Sequence, residues 1–124
     1  MLAEKYPESK YALPALGNAA EDYKELKQFS DAGAMYERIY ALNSDNPEQA
    51  EVALYNASYY YKLGEDWTNT IRVNNQYIAT YPGNDIAIDL YFANASHYLK
   101  LDNLTEANRI YEEFATKYPD DPRS

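Results

Sequence analysis

Asn56-Ala57-Ser58-Tyr59-Tyr60-Tyr61-Lys62-Leu63 returns as Asn94-Ala95-Ser96-His97-Tyr98-Leu99-Lys100-Leu101, a spacing of 38 residues. A fainter copy, Asn18-Ala19-Ala20-Glu21-Asp22-Tyr23-Lys24, lies the same distance upstream. Apolar residues three and four apart run through the copies, which marks helix. A repeat of this length built from helix means stacked helix pairs, because one pair cannot bury its own apolar face and must lean on its neighbours. The expected fold is all-α: a solenoid of about three helix-turn-helix repeats and six helices. The repeats fall at roughly residues 7–44, 45–82 and 83–119 of a single domain. Such arrays hold other molecules and seldom do chemistry.

Local punctuation places the helices. Asn46-Pro47-Glu48-Gln49 supplies an Asn cap, a Pro in the first turn and a Gln three residues on, so a helix opens there and runs to about Leu63, where Gly64 stops it. Its partner runs from about Trp67 to Thr80 and ends at Tyr81-Pro82-Gly83. The third repeat follows the same plan, roughly Asn84 to Leu101 and Leu104 to Lys117. In the first repeat the second helix spans about Ser30 to Leu42, while Pro14 either sits in the first turn of a helix beginning near Leu13 or kinks a longer one. Lys5-Tyr6-Pro7 near the start resembles Lys117-Tyr118-Pro119 near the finish, as expected of a segment cut at repeat boundaries from a longer protein.

Composition narrows the function. A formal charge of −9 with scattered Lys and Arg argues against a sequence-independent nucleic-acid binder, which needs clustered cations. The absence of cysteine excludes disulfides and thiolate chemistry. No run is long enough to span a membrane. His97 is the only histidine and has no second soft ligand to share a metal; no cofactor is expected. No phosphate loop, zinc-protease helix or nucleophile elbow is present, so an enzyme reading has little support. The chain is rich in tyrosine, with 15 residues, a side chain suited both to half-buried helix seams and to binding surfaces.

The repeat columns resemble those of the tetratricopeptide repeat family. Leu16, Leu54 and Phe92 hold the bulky column, Ala19-Ala20, Ala57-Ser58 and Ala95-Ser96 the small pairs, and Tyr23, Tyr61 and Leu99 the next position. Ala32 and Ala107 fill the small column of the second helices, Tyr36 and Tyr111 the aromatic column, and Pro82 and Pro119 the terminal proline. Thr70 and Asn74 depart from the pattern where Ala and an aromatic belong, and Ser44 replaces the first terminal proline. These departures bear on packing around the second repeat and leave the fold intact. The resemblance implies a right-handed α-α superhelix with a concave groove that binds a protein or peptide partner. Long repeats with Tyr-Pro junctions are similar to those of bacterial cell-envelope proteins, including the barrel-assembly lipoprotein and the Tol-Pal-associated periplasmic protein, which implies a periplasmic or envelope-associated scaffold.

The helix around Asn56 carries two stripes. Leu54, Ala57, Ser58 and Tyr61 form one; Val52, Tyr55, Asn56, Tyr59 and Leu63 form the other, on nearly the opposite side, where an ordinary surface helix has only one. In the resembled family the second stripe lines the groove. The candidate peptide-binding residues are therefore Asn18, Val52, Tyr55, Asn56, Tyr59, Lys62, Leu90, Asn94, His97 and Lys100. Asn18, Asn56 and Asn94 form one repeated column, and a carboxamide offers both a donor and an acceptor to the backbone of an extended peptide. The same column equally serves local hydrogen bonds. Lys24, Lys62 and Lys100 form another, at helix C-termini where a cation complements the dipole.

Two other roles fit the sequence. The repeats could act as a structural spacer or self-associate through an apolar edge of the last helix, presented by Ile110, Tyr111 and Phe114. Helical surfaces lined by Tyr and Asn also suit glycans.

Overall fold

The computed structural model describes residues 10–124, so the Lys5-Tyr6-Pro7 junction and the opening of the first repeat lie outside the described residues. Among the described residues there are six helices and no strand: α1 (Ala12–Glu25), α2 (Phe29–Leu42), α3 (Pro47–Leu63), α4 (Trp67–Thr80), α5 (Asp85–Lys100) and α6 (Leu104–Lys117). Consecutive helices pack together, α1 on α2, α2 on α3 and α5 on α6, the all-α helical-repeat class that the periodicity implies. Pro14 stands in the first turn of α1, where its missing N–H removes no helix bond, and the helix is not broken there. The chain divides into two compact units, one ending at Thr70 and the other beginning at Ile71.

One turn geometry recurs at three places. Lys27, Glu65 and Asp102 adopt left-handed backbone conformations, with φ of 59°, 56° and 59°. At each, the residue that follows donates its N–H back across the turn: Gln28 to the Tyr23 carbonyl at 2.8 Å, Asp66 to Tyr61 at 2.9 Å and Asn103 to Tyr98 at 2.9 Å. The left-handed residues donate to Lys24, Lys62 and Leu99 at 2.9 to 3.0 Å, completing the double closure that satisfies the last helical carbonyls. The residue after the left-handed one then starts the next helix. Asn103 Oδ1 accepts the Glu106 N–H at 3.2 Å, and Asp66 Oδ1 accepts that of Asn69 at 3.4 Å.

The helix α3 ends at Leu63 with Gly64 at its C-cap, as expected, and Gly64 has an ordinary φ of −82°. Its role is spatial: a Cβ there would sit 2.9 Å from the backbone nitrogen of Ser30. Absence of a side chain lets the end of α3 close on the start of α2.

In the first unit α3 buries Ala50, Ala53, Leu54, Ala57, Ser58 and Tyr61 on one face. Full burial of Leu54 alone contributes about 1.5–3 kcal/mol relative to leaving it in water. The Tyr61 ring lies against Gly33 of α2, where a Cβ would stand 2.9 Å from the ring, and its hydroxyl donates to Glu37 Oε1 at 2.5 Å. Tyr60 stacks between Phe29 and Tyr36, with ring centroids 6.4 and 5.4 Å away. Thr70, the first departure from the small column, is fully buried with its hydroxyl donating to the Asp66 carbonyl at 2.8 Å, so the polar atom introduced there is satisfied.

In the second unit Ala95, Ala107 and Ile110 form the centre of the core, with Tyr91 and Tyr98 packed against it. Phe114 is enclosed by aromatic rings: Phe92 at 4.9 Å, Tyr118 at 5.0 Å and Tyr91 at 6.3 Å. Ile110 and Phe114 are therefore buried, and of the three residues expected to form an apolar edge on α6 only Tyr111 is exposed. Ile110 is covered by its own cluster with Ala95 and Ala107, and the cover over Phe114 extends beyond the helix. The Arg123 guanidinium comes within 5.2 Å of the Phe92 and Phe114 ring centroids, bonds Asp89 at 3.0 Å and is held by Asp121. A cation on those faces contributes dispersion and quadrupole attraction.

Candidate interaction surface

The second stripe of α3 faces solvent. Val52, Tyr55 and Tyr59 are 60%, 39% and 38% exposed on a helix whose opposite face is packed, and Leu63 continues the line at 41%. Residues three and four apart stand above one another on a helix, so these side chains form one continuous apolar ridge. Lys62, also exposed, holds its ammonium 5.2 Å from the Tyr59 ring centroid, leaving a cation beside the ridge. Asn56, at the edge of the stripe, is half-buried.

The equivalent positions on α5 differ. Leu90 is half-buried, while Asn94 and His97 are buried, contrary to the expectation of a solvent-facing groove residue at each. The Asn94 carboxamide is engaged on both sides: Asn74 Nδ2 donates to its oxygen at 2.8 Å, and its own nitrogen donates to Asn75 Oδ1 at 3.1 Å. A carboxamide used in this way is not offered to a peptide backbone. Asn18 and Lys100 are exposed. The repeated Asn column thus splits into an exposed, a half-buried and a buried member.

The lysine column splits too. Lys24 pairs with Glu21 at 2.9 Å and stands 5.1 Å from the Tyr60 ring centroid. Those partners, Glu21 first, hold its ammonium well above the usual lysine range. Lys62 is the member beside the exposed ridge.

A cleft of about 150 Å³ opens in the second unit among Ile78, Ala87, Ile88, Tyr91, Glu113 and Lys117. Two of its polar groups are paired: the Tyr91 hydroxyl donates to Glu113 at 2.5 Å, and Arg109 bonds the same carboxylate at 2.7 Å. Burial, then the hydrogen bond to Glu113, pushes the Tyr91 phenol up to about 12. This pairing ties α5 to α6. Among the described residues no cluster of His, Asp and Glu could hold a metal ion. No described helix is long and apolar enough to cross a membrane.

Two residues carry more than their sequence reading assigned them, Glu48 on this surface and Tyr77 in the core of the second unit. Glu48 is exposed one turn before Val52 on the same face, a position readable from its spacing alone. Tyr77 is fully buried, with its hydroxyl accepting from Asn84 Nδ2 at 3.2 Å. It occupies the column of Phe114, and that alignment was the available signal.

Residues 95–121 match the family model of the tetratricopeptide repeat. The tetratricopeptide match takes in the end of α5 from Ala95 onward, all of α6 and Pro119, and so includes Ala95, Ala107 and Ile110 of the second unit's core. No curated protein and no solved structure gives a significant match to the chain.

Proposed function

We propose that the chain is a non-catalytic protein-interaction scaffold, and that the α3 ridge takes an extended peptide or protein segment. The observation that carries this reading is the exposed line Val52, Tyr55 and Tyr59 opposite a fully packed face. Single exposed apolar residues are ordinary, but an aligned row of them on one rigid helix is the form of a docking surface. Tyrosine supplies contact area at low conformational cost, and Lys62 adds a charge to orient a partner. The tetratricopeptide match over residues 95–121 supports a scaffold rather than an enzyme, since such repeats generally hold protein partners. A place in envelope assembly rests on the likeness of the long Tyr-Pro-bounded repeats alone.

Peptide selection against the immobilised chain tests the reading. Selected peptides should bind with affinity that falls by about tenfold or more in Tyr55→Ala/Tyr59→Ala, equivalent to about 1.4 kcal/mol or more, with unchanged helicity. Undiminished binding to that variant would place the partner elsewhere.

A further inference from the structure

We infer that the α3 ridge also pairs with its counterpart in a second copy of this chain, the two helices lying antiparallel. The ridge is charged at its ends and apolar between them. Glu48 is exposed at its N-terminal end, Val52, Tyr55 and Tyr59 follow, and Lys62 is exposed beside Leu63 at the C-terminal end. Glu48 and Lys62 stand about 21 Å apart along the axis at 1.5 Å per residue.

Turning a second α3 end for end brings Lys62 to the partner's Glu48 and Glu48 to the partner's Lys62. Val52 then meets the partner's Tyr59, and Tyr55 meets the partner's Tyr55 near the two-fold axis. A parallel arrangement would set like charges together at both ends, so the charge pattern selects one orientation. This is the self-complementarity that an isologous interface requires. No other molecule has to supply the matching pattern, and this is why a second copy fits the face. Releasing the Lys62 ammonium from the Tyr59 ring gives up only a weak exposed cation–π contact.

One helix face buries less than the roughly 1,200 Å² at which stable complexes begin, so the pairing is weak and concentration-dependent. The charged ends set orientation more than strength, and salt loosens it. The pairing does not require that a foreign partner exists; where one does, it and the second copy compete for the ridge.

Sedimentation equilibrium of the 124-residue chain from about 1 µM to about 1 mM tests the inference. The expected result is a dimer that grows with concentration and recedes with added salt. Glu48→Lys alone and Lys62→Glu alone should each weaken it on the order of tenfold, since each replaces two attractive pairs by two repulsive ones. Mixing the two variants should restore association as a heterodimer, because each then meets its opposite charges; circular dichroism confirms that both are folded. A wild-type monomer throughout the range overturns the inference. So does a dimer indifferent to both substitutions, or folded variants that fail to combine. None of these results alters the peptide-binding test, which reads the tyrosines against a different ligand.

Discussion

Asn74 of α4 donates its side-chain amide to the Asn94 oxygen of α5 at 2.8 Å, and the two residues are 0% and 1% exposed. Asn74 stands in the column where Tyr36 and Tyr111 carry rings, and the polar replacement is balanced by a polar partner from the neighbouring helix. A buried amide is tolerated only when paired. Among the described residues no buried side-chain nitrogen or oxygen lacks a hydrogen-bond partner.

Removing both members of that pair should therefore cost less than the two single removals added together. Asn94→Ala takes from the buried Asn74 amide the acceptor to which it donates at 2.8 Å, at a cost of about 1–3 kcal/mol beyond the lost packing. The Asn74→Ala/Asn94→Ala double variant should be clearly less destabilised than the sum of the singles, a coupling of about 0.5–3 kcal/mol. Urea unfolding of the four proteins in the cycle measures it, and strict additivity would contradict the pairing.

Left-handed backbone at Lys27 and Glu65 carries a cost that glycine avoids. The steric penalty of about 1–2 kcal/mol exceeds the entropy that glycine loses on folding, so Lys27→Gly and Glu65→Gly should each raise stability by about 0.5–1 kcal/mol. Asp102→Gly should gain less, because a short polar side chain tolerates that region better. Denaturant midpoints compared with the parent decide the sign.

The helical glycines should respond oppositely to alanine. Gly17 has no atom within 4 Å of an added Cβ, so Gly17→Ala should stabilise α1 by roughly 0.5–1 kcal/mol through helix propensity. At Gly33 the same methyl would stand 2.9 Å from the Tyr61 ring, which is itself fixed by Glu37. Gly33→Ala should cost about 1–3 kcal/mol through overpacking. Thermal melts of the two variants should bracket the parent.

Acid titration should single out the Arg123 clasp. The guanidinium and backbone N–H of Arg123 hold the Asp121 carboxyl down to about 2. A carboxyl depressed in the folded state adds stability that is present above its unfolded value near 4 and lost as pH falls through about 2. The side-chain resonance of Asp121 should thus titrate near 2 in the parent and return toward the ordinary aspartate range in Arg123→Ala. An unchanged midpoint would show that the clasp does not govern this carboxyl.

How much of this was legible beforehand follows from the range of each interaction. Helix bounds are set by contacts three to six residues apart, and a row of residues carries that information: Asn46, Asn84 and Asn103 each accept the N–H three positions on, and Trp67–Thr80 is the span that the punctuation predicts. The α3 stripe of Val52, Tyr55 and Tyr59 was readable for the same reason, since helical period alone decides which side chains share a face. The end of α3 at Leu63 was readable from Gly64, but the close approach of Gly64 to Ser30 in another helix was not.

By itself, then, the sequence determined that this chain is a helical repeat with these six described helices, because capping, propensity and periodicity act within a few residues. Only the tertiary structure decided what becomes of identical letters in equivalent places. Asn18, Asn56 and Asn94 share a column, yet one is exposed, one half-buried and one sealed against Asn74. Asn56 has Tyr36 at the position that answers Asn74, and no carboxamide there to pair with. Burial depends on which side chain a neighbouring helix brings from 20 residues away, and that neighbour is chosen by packing.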